Sequence, residues 1–272
     1  MTTHPFRNVT HAAEPEALLD RLGTVFRRFD EQDSGCVSYG LLASGRRWFV
    51  KTAATAEGTS SLRRAASFHR KVAHPAVVPL VHTFTTDEGL VLVYPWVSGE
   101  VLYHPTRSHR GGRAVPGSPM ARFRARPLPL VHAALESVLR AHVAVEEAGF
   151  VAVDLYDGCL LYDFDLHRMV LCDLDEYRPG PFVLNADRLP GSTRYMAPEQ
   201  LVRGSLIDTR ATVFTLGRTL RLLLDAGDEE RRWRGNPEQL EVIGRATAGA
   251  PERRFPSVRA LVDAWRVATG AA

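Results

Sequence analysis

The sequence predicts an α+β chain. Short alternating stretches with glycine and proline breaks occupy its first third, a 20-residue apolar helix pattern follows, and most of the remainder reads as helix. Its 272 residues are 45% hydrophobic and 24% charged, enough apolar side chains for a sizeable core and too ordinary a balance for a disordered or fibrous chain. The net charge of +3 is too small to point to nucleic acid by itself.

The elements follow in order. Glu14 to Leu22 predicts a leader helix. Val37 to Ala43 and Arg47 to Thr52 flank Ser44-Gly45-Arg46, the pattern of a β-hairpin, and Lys51 stands at the end of its second strand. Leu62, Ala65, Ala66, Phe68, His69 and Val72 have helical spacing, so Ser61 to Ala73 predicts a helix that His74-Pro75 stops. Strands are expected at Val77 to Phe84 and Leu90 to Tyr94. Val131, Leu135, Val138, Leu139, Val143 and Val145 predict a core helix from Pro129 to Ala148, closed by Gly149. Cys159 to Tyr162 and Met169 to Cys172 read as a hairpin around Asp163 to Arg168, with Asp163-Phe164-Asp165 at its turn.

The N-terminal stretch has no apolar core of the kind a signal peptide carries, and no run reaches the about 18 apolar residues of a membrane span. A cytoplasmic chain with no membrane partner is the expectation. Cys36, Cys159 and Cys172 form no C-x-x-C pair and suit free thiols. Cys172 directly precedes Asp173, and oxidation of Cys159 or Cys172 is a regulatory hypothesis, set against two inert buried thiols. Residues 103–127 carry Arg107, Arg110, Arg113, Arg122, Arg124 and Arg126 without one acid. A solvated loop is the simpler reading, and binding of an acidic partner is the alternative.

Gly191-Ser192-Thr193-Arg194-Tyr195-Met196-Ala197-Pro198-Glu199 resembles the end of a protein-kinase activation segment, where A-P-E closes the loop that receives the substrate. Pro251-Glu252-Arg253-Arg254-Phe255 resembles the P-x-x-R-[FY] turn before the last kinase helix, and the resemblance implies an ion pair from Arg254 to Glu199. The interval from Asp154 to Asp173 resembles that from H-R-D to D-F-G. It implies Asp154 as the carboxylate that orients the attacking hydroxyl and takes its proton, and Asp173 as the one that holds Mg²⁺ or Mn²⁺. Trp48-Phe49-Val50-Lys51 resembles the V-A-I-K strand, so Lys51 would hold the α and β phosphates of ATP. Gly35 and Val37 would lie over the nucleotide, and Tyr94, Trp96 and Val97 would form the hinge beside adenine.

The resemblance therefore implies a bilobal protein-kinase-like fold. Residues 1–25 would be a leader, residues 26–98 a small β-rich N-lobe, and residues 99–272 a larger α-helical C-lobe with the arginine-rich insert 103–127. The implied activity is ATP-dependent transfer of the γ-phosphate to serine or threonine of a protein substrate, with Ser192 and Thr193 as autophosphorylation sites. A pseudokinase that binds nucleotide or scaffolds, and a small-molecule kinase, are the alternatives.

Several family features are replaced. Asp30 and Gln32 stand where two glycines are usual, Ala65 or Ala66 where a glutamate pairs with the lysine, and Ala152-Val153 where His-Arg precedes the aspartate. Cys159 replaces the asparagine that holds a second metal, which leaves either Asp157 as a substitute ligand or a site for one metal ion only. Thr212 replaces the aspartate that braces the catalytic loop, though a hydroxyl can still bond backbone. About twenty residues between Gly217 and Pro237 are too few for the usual substrate-docking helix. Val151 to Gly158 resembles the V-A-V-D-x-Y-D-G loop of a divergent group of bacterial serine/threonine kinase-like proteins.

Overall fold

A computed structural model describes residues 4–30, 35–103 and 112–270. Gln32, Arg107 and Arg110 lie outside the described residues. The fold is mixed α+β and divides into two compact units, one of residues up to Ala73 with Val78–Ser98, the other of His74–Val77 with the chain from Gly99 on.

The first unit is a five-stranded antiparallel sheet built around α1 (Pro15–Leu22), β1 (Thr24–Phe29), β2 (Cys36–Ala43), β3 (Arg46–Ala53), α2 (Ala56–His69), β4 (His82–Thr85) and β5 (Leu90–Pro95), in the strand order β1-β2-β3-β5-β4. Ala43 pairs with Arg46 across a two-residue turn in which Ser44 and Gly45 both have positive φ, the backbone that matches the twist of a tight hairpin. One face of the sheet buries Tyr39, Leu41, Trp48, Val50, Phe84, Val91 and Val93 with Phe6, Leu18 and Leu19. The expected leader is thus a cover for this face, anchored by a Phe6 ring stacked on Phe84. The other face buries Cys36, Ala53, Leu92 and Tyr94 against Leu62, Ala65 and Ala66 of α2.

Three boundaries differ from the sequence reading. β1 was not expected: it is an edge strand with its Arg27 and Arg28 set over the Phe29 and Tyr39 rings, so it lacks a clean apolar alternation. α2 starts at Ala56 because the Thr55 hydroxyl accepts from the Gly58 amide at 3.1 Å and caps it. β4 starts only at His82, since Pro75 and Pro79 cannot donate to a ladder, and Val77 instead bridges Leu171 in the second unit.

The second unit comprises β6 (Glu100–Val101), α3 (Pro119–Arg124), α4 (Leu128–Glu147), β7 (Phe150–Val151), β8 (Leu160–Asp163), β9 (Arg168–Leu171), β10 (Arg178–Pro179), β11 (Phe182–Val183), β12 (Leu206–Ile207), α5 (Thr209–Leu223), α6 (Pro237–Ala246) and α7 (Val258–Thr269). β6, β8 and β9 form a three-stranded sheet; β7 pairs with β10 and β11 with β12. Asp163 closes the β8–β9 turn, its Oδ1 accepting from the amides of Asp165 and Leu166. α4 is the one helix among the described residues that is long and apolar enough to cross a membrane, yet it buries Val131, Leu135, Val138, Leu139 and Val145 against β7, β9, α5 and α7 as a core helix.

His142 of α4 is fully buried. The Val138 carbonyl, 2.7 Å from Nδ1, can only accept, so Nδ1 carries the proton and Nε2 accepts from the Tyr177 hydroxyl at 2.8 Å. Burial lowers the pKa of His142 to about 4 from 6.5, with the His74 charge acting in the same direction. Between those values the unfolded chain binds a proton that the folded chain does not, so stability falls as pH drops from about 6.5 toward about 4, by about 3 kcal/mol in full. Urea unfolding at pH 7 and pH 4.5 checks this, and His142→Gln should flatten the dependence.

Candidate active site

Asp154 and Asp173 each follow a short apolar strand, and each departs from the extended backbone in the left-handed region, with φ 61° and 57°. Aspartate tolerates this conformation better than most residues, because its short side chain bonds locally, but the geometry persists only where surrounding structure imposes it. Part of that structure is Cys159. Its Sγ lies 3.2 Å from the Asp154 carbonyl and 3.8 Å from the Asp173 carbonyl, so one buried thiol touches the backbone of both aspartates. Asp173 is exposed and Asp154 half-buried.

Burial pushes the Cys159 thiol well above its usual pKa, and the Asp154 and Asp173 carboxylates push further in the same direction. A neutral, buried thiol is a poor nucleophile, so the oxidation hypothesis loses Cys159. Cys172 is half-buried, with Sγ 3.6 Å from the Cys159 carbonyl. Tyr156 is raised too, by burial first and then by Cys159, Asp173, Asp154 and Asp157.

The backbone entering this turn is tied to α5. The buried Thr212 hydroxyl accepts from the Ala152 amide at 3.0 Å, two residues before Asp154. Thr212→Val keeps the shape and orphans that amide, which predicts a loss of about 1–3 kcal/mol in chemical denaturation, with Thr212→Ser close to wild type.

Asp157 is turned to another purpose than the expected metal contact. Its fully buried carboxylate meets Arg113 in a two-pronged pair, Nε to Oδ2 and Nη2 to Oδ1, the latter at 3.1 Å. Arg113 also stacks on Tyr103, 3.6 Å from the ring centroid. An uncompensated carboxylate at this depth would be costly, and the guanidinium supplies its counter-charge. The arginine-rich stretch is accordingly no solvated loop where it is described: Arg122 pairs with Glu100 at 2.7 Å, Arg124 is buried on the Leu222 carbonyl, and Arg126 bonds the Arg122 carbonyl. Sequence reading missed this network, although six arginines without a local acid imply partners elsewhere in the chain.

Residues 191–197 run beside Asp154. Gly191 has φ 133°, and a Cβ there would stand 3.3 Å from Asp154 Oδ1, so the backbone passes close to that carboxylate. Thr193 is exposed, and Ser192 is half-buried with its carbonyl accepting from Tyr195. Glu199 forks with Arg254 at 2.6 and 2.9 Å. Arg254 also donates to the carbonyls of Arg210, Ala248 and Gly249 and lies over the Phe214 ring.

In the first unit, Lys51 is buried on β3, paired with Ser38 of β2 and Leu92 of β5. Strand alternation puts it on the same face as Phe49 and Ala53, toward α2, where Ala65 and Ala66 offer no carboxylate. Val37 is one register position from Lys51, and Tyr94 lies across from Phe49. The Trp96 ring packs edge-on against Phe26 at 5.0 Å, and the neighbouring Val97 is half-buried. Gly35 has φ 65°, and a Cβ there would meet the Thr55 hydroxyl at 2.2 Å, so packing against the α2 cap already demands glycine. Asp30 pairs with Arg28 at 3.2 Å.

Among the described residues, no three His, Cys, Asp or Glu side chains converge as a ready-made metal centre. A Mg²⁺ ion carried on nucleotide phosphates asks for only one or two carboxylates, and an exposed Asp173 fits that demand.

No protein-family model matches the chain. Over 201 residues it is 28% identical to a proline-rich receptor-like protein kinase of Arabidopsis thaliana, a match that covers 68% of this chain and 25% of the plant protein. The matched region thus spans about a quarter of that relative's length. Similarity at this level supports a protein-kinase-like relationship in coarse terms.

Proposed function

We propose that the chain is an ATP-dependent phosphotransferase of the protein-kinase type, with a bilobal kinase-like fold, that moves the γ-phosphate to a serine or threonine hydroxyl. The observation that carries the reading is the pair Asp154 and Asp173, both in left-handed backbone and both touching Cys159, beside the close turn at Gly191. Phosphoryl transfer asks a protein mainly for positioning and charge, and two carboxylates with separate surroundings meet that requirement. Asp154, half-buried, orients the acceptor hydroxyl and accepts its proton. Asp173, exposed, holds Mg²⁺ or Mn²⁺, which supplies neutralising charge to the phosphates. Lys51 contributes an ammonium to the phosphates, and Gly35, Val37, Tyr94, Trp96 and Val97 make up the nucleotide side.

A second reading, a pseudokinase that binds nucleotide without transferring phosphate, is favoured by the commitment of Asp157 to Arg113. Transfer of label from γ-³²P-ATP with Mg²⁺ or Mn²⁺, to the chain itself or to generic protein acceptors, separates the two. We expect label. Nucleotide binding without label on any protein acceptor overturns the protein-kinase reading and leaves the pseudokinase or a small-metabolite acceptor.

A further inference from the structure

Residues 224–236, between α5 and α6, carry a run of acids, Asp225 and Asp228 to Glu230, followed by Arg231, Arg232 and Arg234. Asp228 is its junction. Arg194 Nη1 donates to Asp228 Oδ1 at 2.8 Å, and Arg194 Nη2 donates to the Asp228 carbonyl. Arg124 reaches the same Oδ1 with both terminal nitrogens at 3.3 Å. One carboxylate therefore joins the end of α3, in the arginine-rich stretch, to the segment that leads into Ala197-Pro198-Glu199.

The surroundings reinforce each arm. Arg124 is 3% exposed and donates twice more to the Leu222 carbonyl, at 3.1 and 2.8 Å. A cation at that depth needs a carboxylate within reach, and Asp228 provides it. Arg218 of α5 donates to the Arg194 carbonyl at 3.0 Å and forks onto Glu230 at 2.9 and 2.6 Å. Arg221 bonds Asp225 and the Glu230 carbonyl, and Arg234 bonds the carbonyls of Arg124 and Arg126. Arg194 is thus held through both its guanidinium and its backbone.

We propose that Asp228 is a positioning residue: by accepting from Arg194 and Arg124 together, it fastens residues 191–197 to α3 and keeps them ordered with no phosphate on Ser192 or Thr193. A phosphate orders a loop by recruiting a nearby arginine through charge-assisted hydrogen bonds. Arg194, one position after Thr193 and two after Ser192, already has a carboxylate in that role. Arg188 donates to the Leu189 and Gly191 carbonyls and closes the preceding turn. The catalytic consequence, an acceptor site ready without prior modification, rests on the phosphotransferase reading, whereas the clamp does not.

The test uses the full chain with Asp228→Asn, which keeps the shape and removes the charge, alongside Asp228→Ala. Amide hydrogen exchange across residues 191–197 should rise about tenfold or more in both, consistent with loss of charge-assisted bonds, while α4 and α7 stay near wild type. The Ser192→Ala/Thr193→Ala double variant should keep wild-type exchange there. In transfer assays, the KM for acceptor should rise about tenfold with the KM for ATP unchanged, a split that general loosening would not give. Unchanged exchange at 191–197 in Asp228→Ala, an equal rise throughout the second unit, or loss of order in the double alanine variant overturns the clamp. Should the unmodified chain transfer no phosphate, the exchange measurement still decides the clamp and only the kinetic consequence falls.

Discussion

Asp173→Asn and Asp154→Asn should each lower the rate of phosphate transfer by about 10² to 10⁴-fold, the range expected when a positioned base or a charge-stabilising group is removed. Asparagine is the informative replacement. It matches the volume of aspartate and also accepts left-handed backbone, so the φ of 61° and 57° at these positions survives the change. The thiol contacts from Cys159 are to main-chain carbonyls and are also retained. The negative charge disappears, and one acceptor oxygen becomes a donor nitrogen. The two variants should differ in a second readout: Asp173→Asn should shift the Mg²⁺ concentration needed for half-maximal rate upward, whereas Asp154→Asn should leave it near wild type. Transfer that stays within a few-fold of wild type in either variant removes that residue from its assigned role.

Arg254→Ala should destabilise the second unit by about 3–5 kcal/mol, the usual cost of stranding one partner of a buried ion pair. Arg254 has five N–H donors, and five acceptors surround it: both oxygens of Glu199 and the carbonyls of Arg210, Ala248 and Gly249. Its side chain is 0% exposed and that of Glu199 only 11%, so little water is at hand to compensate. Removing the guanidinium leaves a shielded carboxylate and three carbonyls short of a donor. Arg254→Lys keeps the charge but supplies three donors from one point, so it should recover part of the loss and no more. Urea unfolding followed by the buried Trp265 of this unit measures the difference, and a change below about 1 kcal/mol would falsify the account, since that is the range of a solvated surface pair.

The parts of the molecule legible in its sequence are those set by short-range rules. The β2–β3 hairpin follows from two-residue turn chemistry, α4 from its apolar periodicity, and the β8–β9 turn from an aspartate that caps its own loop. The approach of Glu199 to Arg254 was implied by motif resemblance, since fifty-five positions separate them and no local pattern links them. What was illegible depended on partners distant in sequence. β1 is an edge strand whose arginines shelter over rings, which hides its alternation. The Asp157 carboxylate looks like a free ligand in a string of letters and becomes a buried counter-ion only when Arg113 comes alongside. For Thr212 the residue type already allows a hydroxyl bond to backbone, and only the partner, the Ala152 amide, had to come from the structure.

The N-terminal cover of the β-sheet bears on where this protein begins as a folding unit. Phe6, Leu18 and Leu19 fill the same apolar layer as Tyr39, Leu41, Trp48 and Val50. A boundary drawn at residue 26 by likeness to other proteins would strip that layer and leave one side of a five-stranded sheet wet and sticky. The smallest autonomous piece of this region therefore has to include its first helix and the turn before it.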